Sequence, residues 1–393
     1  MKTLSRRKFL VDGACLVASC TAAAALGPFT ACNSRAWAQE DVSGAVFKGD
    51  GPKQVWKWSR EGYAYQRLDE KQVACLICPN HCVLSPGDRS VCRSKVNVGG
   101  TLYSLAYGNA CAVHVDPIEK KPLYHFAPRS TSFSIAAAGC NFRCLNCQNW
   151  EISQAKPHEV RHRELFPEDA VNAARQAGCH SIAYTYSEPV TFYEYMLDTA
   201  QAARGAGLRN LLISNGYINR PPLLDLCRVI DAANINLKAY SDAVYRKLNG
   251  GRLAPVLATL KTVHDQGVHL EITNLVVPTY VDDDDLVRRM CAWILKEVGP
   301  DHPLHFLRFQ PLYKLDRLPP TPVSTLARFR EIALSEGIRY TYVGNVPGHE
   351  GNHTYCHNCR KLLVARAGYF IREVHLAGSR CEYCGTPIPG AWT

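Results

Sequence analysis

The stretch Phe133-Ser134-Ile135-Ala136-Ala137-Ala138-Gly139-Cys140-Asn141-Phe142-Arg143-Cys144-Leu145-Asn146-Cys147-Gln148-Asn149-Trp150 decides how the chain is read. A short apolar run, Phe133 to Ala137, leads straight into Cys140-x3-Cys144-x2-Cys147. Three thiolates so close in one loop can wrap one face of a cuboidal iron–sulfur cluster, which normally takes four Cys ligands. A missing fourth ligand leaves one iron open. An open metal position is where chemistry happens, as it is at catalytic zinc. The other use of such a loop is a structural zinc site completed by a distant His or Cys, although zinc knuckles usually pair C-x2-C units.

With Phe142 before the second Cys, the loop resembles the cluster loop of radical S-adenosylmethionine (SAM) enzymes. Gln148-Asn149-Trp150 is similar to the branch that contains pyruvate formate-lyase activating enzymes, and within it the chain resembles the group called AmmeMemoRadiSam-system radical SAM enzymes. The likeness covers roughly residues 70–393.

Composition sets the outer bounds. The chain has 393 residues, 47% of them hydrophobic, which is enough for one large domain with small appendages. Its net charge of +10 falls to +6 without residues 1–38, since five basic residues and one acid go with them. No basic run or aromatic-interleaved patch remains, so nucleic acid is not expected as a partner. Most of the 18 cysteines fall into tight C-x2-C or C-x3-C groups. In a chain of this length that pattern reads as metal binding, not as a disulfide framework.

Ser5-Arg6-Arg7-Lys8-Phe9-Leu10 is a twin-arginine motif. A weakly apolar stretch from Leu10 to Phe29 follows, then Ala36-Trp37-Ala38, a small-x-small cleavage site. Residues 1–38 are therefore expected to be an export signal, which places the mature protein in the periplasm, or in the cytoplasm if the signal is not used. Asp12 and Pro28 make the stretch a poor membrane span. Contact with a membrane is expected only through export or through lipid attachment at Cys32 in the weak lipobox Phe29-Thr30-Ala31-Cys32. Residues 39–72 lack periodicity and read as a linker.

Two further cysteine groups flank the centre. In residues 73–130, Cys75, Cys78, Cys82 and Cys92 surround turns made by Pro79 and Pro86-Gly87. Four thiolates suit either zinc or an iron–sulfur cluster, so this N-terminal module is expected to hold a structural metal or an electron-relay cluster, with free or disulfide thiols as the remaining reading. In residues 351–393, Cys356-x2-Cys359 and Cys381-x2-Cys384 are separated by a β-rich run. Two such knuckles make the tetrahedral site of a zinc-ribbon or rubredoxin-like module, with Zn or Fe as the ion.

Between them, residues 131–350 alternate short β-rich runs with amphipathic helical ones, which implies an α/β fold with a parallel sheet. Strands are expected at 133–137, 181–186, 210–214, 235–237, 269–277, 304–309 and 339–343, and one of the intervening helices at 221–233. A doubly wound sheet fits this pattern as well. The resemblance implies instead the partial (β/α) barrel of radical SAM enzymes, with its site at the C-terminal strand ends.

At those ends the resemblance implies the following roles. Cys140, Cys144 and Cys147 hold [4Fe–4S]. Tyr186-Ser187-Glu188-Pro189 matches by position a Gly-Gly-Glu element that meets the SAM amino group; both Gly are replaced, so Glu188 alone carries over. Ser214-Asn215-Gly216 is similar to a Thr-Asn-Gly element that contacts SAM. Asn236-Leu237-Lys238 stands where Asp-Leu-Lys is typical, which leaves Lys238 to pair with the SAM carboxylate. His305 and Arg308 lie on a strand near the substrate, where Arg308 can hold a carboxylate in a bidentate pair. Glu271 is either an active-site group or a partnered core residue. The stretch from Asp116 to Phe126 is expected to border the site.

The expectation is a radical SAM enzyme with [4Fe–4S] and SAM as cofactors. It would be fed by a ferredoxin- or flavodoxin-like electron donor and act on a protein or a small molecule. The competing expectation is an exported iron–sulfur and zinc protein for electron transfer or scaffolding that does not cleave SAM.

Overall fold

The structure, a computed structural model, describes residues 55–392. The twin-arginine motif, the cleavage site and Cys32 lie outside the described residues.

Eight strands form the main sheet: β1 (Ala112–Pro117), β2 (Thr131–Ala136), β3 (Ser181–Tyr184), β4 (Arg209–Ser214), β5 (Ala232–Asn236), β6 (His269–Val276), β7 (Leu304–Arg308) and β8 (Thr341–Gly344). Their spatial order is their sequence order. β1 runs antiparallel to β2 and the other seven are parallel. A doubly wound sheet reverses its strand order partway, and this one never does. Each crossover steps the same way, and right-handed crossovers then set all the helices on one face. These are α1 (Pro167–Gln176), α2 (Tyr193–Gly205), α3 (Arg220–Cys227), α4 (Leu253–Asp265), α5 (Asp284–Glu297) and α6 (Val323–Glu336). The other face is covered only by curling inward. The result is the partial barrel.

Alternation along the strands separates the two faces. Ile182 and Tyr184, Leu212, Ala233 and Ile235, Leu270 and Ile272, and Leu304 and Phe306 belong to the large core with the helices. Ala183, Leu211 and Ala232 turn inward onto Ile118, Leu123 and Phe126, a segment that plugs the lower end of the barrel. Helix starts follow local chemistry. Asp283 caps α5 by accepting from the backbone N–H of Asp285 and Leu286 at 2.8 and 3.1 Å.

Two expectations change. The helix expected over 221–233 ends at Cys227, and β5 begins at Ala232. Asp231 ends the intervening turn, its carboxylate accepting from the Asn210 N–H of β4 at 2.7 Å. The described part of the expected linker is also structured. Arg60–Glu61 pairs with Thr101–Ser104, Tyr65–Arg67 pairs with Val73–Cys75, and Trp56 and Trp58 are buried against Val96 and Leu105. Strands of two or three residues carry no readable period.

At the other end, Thr354–Tyr355, Leu362–Ala367 and Phe370–Val374 form a small antiparallel sheet. It is latched to the plug. Buried Arg366 donates to the Tyr124 carbonyl at 3.0 Å, with its guanidinium 4.1 Å from the Tyr124 ring. The Ala127 N–H donates to Ala391 O at 2.6 Å, and the Ala391 N–H to His125 O at 2.8 Å.

Candidate active site at the strand ends

A cavity of about 670 Å³ opens at the C-terminal ends of the barrel strands, and Cys140, Cys144 and Cys147 stand in its wall. Their loop is held by backbone bonds from Arg143 and Leu145 to the carbonyls of Asn249 and Leu248, and by Asn141 Nδ2 donating to Tyr217 O. Phe142 is the wedge under it, 4.8 Å from the Tyr217 ring. Only glycine leaves room for that wedge at position 251, since a Cβ there would lie 2.2 Å from the Phe142 ring. The sulfurs already receive hydrogen bonds, from Phe142 N to Cys140 at 3.4 Å and from Asn249 Nδ2 to Cys144 at 3.2 Å. Burial raises all three thiols above their usual range, and nearby Lys238 pulls Cys144 and Cys147 back.

These three donors fit a cuboidal cluster and not a single ion. Around one tetrahedral zinc with bonds of about 2.3 Å, thiolates approach to about 3.8 Å. The three Sγ atoms here are not gathered within 4.8 Å of one another, as the C-terminal four are. A cluster places four irons between its thiolates and holds them farther apart.

Glu188, Ser214 and Asn215 come together beside the loop, but largely engaged with one another. The buried Glu188 carboxylate accepts from Ser214 Oγ at 2.6 Å, Asn215 N at 2.8 Å and Val190 N at 3.2 Å. Burial raises it, and these bonds restrain the rise. It is no solvated helix-start Glu. Asn215 donates to Asn141 Oδ1 at 2.8 Å, which ties the end of β4 to the cysteine loop. Tyr186 sits at φ +65°, the left-handed region that glycine occupies freely.

Asn236 and Lys238 share one face as expected, with Lys238 Nζ donating to Asn236 Oδ1 at 3.0 Å. A neutral amide orients the ammonium without cancelling its charge. That leaves Lys238, in the cavity wall, suited to an anionic ligand group.

His305 lies deeper, its Nε2 donating to Glu271 Oε2 at 2.6 Å. The other oxygen of Glu271 accepts the backbone N–H of Tyr124 and of His125, both at 2.8 Å. Burial alone would raise this carboxyl, but the bonds from His269 and His305 hold it well below its ordinary range. Glu271 is thus a partnered core residue that fixes the plug and orients His305. Arg308 is a correction. Leu307 lines the cavity, and Arg308, one residue on, projects from the other face with its Nε donating to Thr321 O at 2.8 Å. Strand alternation takes it out of the site.

The stretch from Asp116 to Phe126 does border the cavity, and it brings a group that the motifs did not signal. Lys120, Lys121 and Tyr186 line the cavity and converge on Asp116, at 2.8 and 2.6 Å from the two lysines, with Tyr186 OH also donating. Burial would raise Asp116, but these donors pull it far below its usual value. Burial also draws Lys121 down, to about 8, against the opposing pull of Asp116. The sequence signal was only two lysines four and five residues beyond an acid, which ordinarily marks a solvated loop.

The C-terminal cysteines form a compact site. All four Sγ lie within 4.8 Å of one another, with Cys356–Cys384 and Cys359–Cys381 each at 3.7 Å. This matches the spacing that one tetrahedral ion demands, so the site could bind a metal. Cys384 is drawn down to about 6, first by its bonds with Thr386. In the N-terminal module Cys75, Cys78, Cys82 and Cys92 are all free thiols, the first two and the last buried.

The site is thus three cysteines after the first parallel strand of a partial (β/α) barrel. Residues 134–290 match the Radical SAM superfamily. An uncharacterized protein of Methanocaldococcus jannaschii is 46% identical over 331 residues, 84% of this chain and 98% of that protein. Pyruvate formate-lyase 1-activating enzyme of Escherichia coli is 26% identical over 211 residues, 49% of this chain and 85% of that enzyme. Among solved structures, SuiB of Streptococcus suis bound to S-adenosylmethionine overlaps 58% of this chain and 53% of its own, at 13% identity and a TM-score of 0.44. The chain belongs to the radical SAM superfamily, with homology to the pyruvate formate-lyase activating enzymes.

Proposed function

We propose that this protein cleaves S-adenosylmethionine reductively and uses the product to abstract hydrogen from a substrate, in the manner of the AmmeMemoRadiSam-system group. The observation that carries this is the cavity wall itself: three thiols spaced for a cluster, with no fourth cysteine among the lining residues, and Lys238 on the same wall. When bound, [4Fe–4S] with SAM on its open iron supplies one electron that splits SAM into methionine and a 5′-deoxyadenosyl radical.

The chain's own residues do the rest. Cys140, Cys144 and Cys147 hold the cluster, and Phe142 and Asn249 keep the loop shaped for it. Lys238 receives the SAM carboxylate. Glu188, Ser214 and Asn215 brace the strand ends that cradle the nucleoside, and the plug closes the cavity floor against water. Lys120, Lys121 and Tyr186 face the remaining space, where the substrate enters. The C-terminal four-cysteine site is read as a zinc ribbon. The substrate is a protein or a small molecule, and the electron comes from a ferredoxin- or flavodoxin-like carrier. The twin-arginine motif supports export.

The test is anaerobic purification with iron and sulfide reconstitution, followed by SAM and a strong reductant. We expect 5′-deoxyadenosine from the native chain and none from Cys144→Ala; a fully loaded native protein that makes none would overturn the reading. Fractionating the producing cells beforehand tests location, and recovery only from the cytoplasm with residues 1–38 still attached would remove export.

A further inference from the structure

We propose that Cys75, Cys78, Cys82 and Cys92 bind a second iron–sulfur cluster, and that it passes electrons to the cluster in the cavity wall. The inference rests on the radical SAM reading for the destination of the electron, but the cluster itself stands on this chain's own geometry.

The spacing of the thiols comes first. Only the C-terminal four cysteines, among the described residues, bring three or more His, Cys, Asp or Glu donor atoms within 4.8 Å of one another. The N-terminal four do not, although they are free and sense one another's charge, Cys75, Cys78 and Cys82 on the hairpin of Val73–Cys75 and Val83–Leu84 and Cys92 just before the strand Lys95–Val98. A single zinc would gather its thiolates as tightly as the C-terminal site does. The N-terminal four, like Cys140, Cys144 and Cys147, fall outside that limit. Four ligands complete a cluster and leave no open iron, so this site carries electrons and does not bind SAM.

The surroundings of the sulfurs agree. Ser90 Oγ lies 3.0 Å from Cys92 Sγ, and the Val91 N–H donates to Cys82 Sγ at 3.5 Å. Hydrogen bonds to cluster sulfurs favour the more negative reduced state and so help a cluster to accept an electron.

Placement gives the direction. The carbonyl of Cys92 lies 2.6 Å from where a Cβ of Gly139 would be, and Gly139 directly precedes Cys140. A ligand residue of one site thus touches the residue before a ligand of the other. Asn80 Nδ2 donates to Asn141 O at 3.0 Å, and Arg93 Nη1 to Cys140 O at 3.4 Å. One electron enters the N-terminal cluster from a low-potential iron–sulfur or flavin carrier, reducing it, and leaves to the wall cluster, reoxidising it. No bond forms or breaks.

The experiment uses the full chain, purified anaerobically, with iron and zinc measured and the reduced protein examined by electron paramagnetic resonance. Replacing Cys140, Cys144 and Cys147 together by Ala should leave about four irons per chain and a reduced signal that SAM does not alter. A colourless triple variant with one zinc more than the C-terminal site can hold would overturn the second cluster. For the relay, the double variant Cys78→Ala/Cys92→Ala should lose half the iron. It should form 5′-deoxyadenosine with dithionite but lose most of that activity when reduced flavodoxin is the donor. Equal losses with both donors would overturn the relay. If neither the native chain nor the double variant cleaves SAM while the triple variant keeps its iron, the radical SAM reading fails and the second cluster stands.

Discussion

At the scale of single residues, Glu271 sits where a carboxylate is costliest, fully buried inside the barrel, and is kept ionised by donors from three directions. Removing one partner of a buried charged network costs about 3–5 kcal/mol. Glu271→Gln is expected to lower stability by this order, read as a shift of the denaturant midpoint. The folded pKa is depressed, so the stabilisation is present above the ordinary carboxyl value of about 4.3 and is lost as pH falls below it. The gap between native protein and variant should therefore narrow below that pH; a constant gap would mean that the charge is not what matters. Residue roles of this kind were only half visible in the sequence. The cysteine triplet was plain because its spacing is local. The partners of Glu271 were not, since Tyr124 and His125 lie 147 and 146 residues away. Arg308 was misplaced by a single step of alternation.

At the scale of elements, the strand pattern was readable because each strand is an apolar run bounded by turns. The contacts between modules were not, because a glycine announces nothing about what lies against it. Gly139 is the example. It adopts φ +111° and has the Cys92 carbonyl where a side chain would go. Gly139→Ala adds a strained backbone and pushes two elements apart, at a cost of about 2 kcal/mol or more. The expected result is a lower melting temperature together with reduced iron content. A variant with native iron and stability would show that the N-terminal module does not bear on the cysteine loop. The inserted Asp116-to-Phe126 segment follows the same rule. It reads as an exposed loop, and only the curl of the barrel turns it into a floor.

At the scale of the whole molecule, the C-terminal sheet holds the plug from below through Arg366 and the strand-like contact of Ala127 with Ala391. A module of this size has little core of its own, and a metal at its four cysteines would staple it. If the four-cysteine site holds a metal, Cys381→Ser should abolish its binding and lower the apparent melting temperature by several degrees, about 2–4 °C for each kcal/mol in a protein this large. Formation of 5′-deoxyadenosine should fall with it, since the cavity floor is no longer held. Unchanged turnover in a metal-free variant would separate the module from the site.

The strictly sequential strand order also has a meaning in time. Each strand after the first pairs with the one made just before it, so the sheet can assemble in step with synthesis, from local contacts that form quickly. The latch cannot. Arg366 meets Tyr124 across 242 residues, when almost the whole chain has been made. The barrel thus stands complete but unsealed for the last stage of its birth.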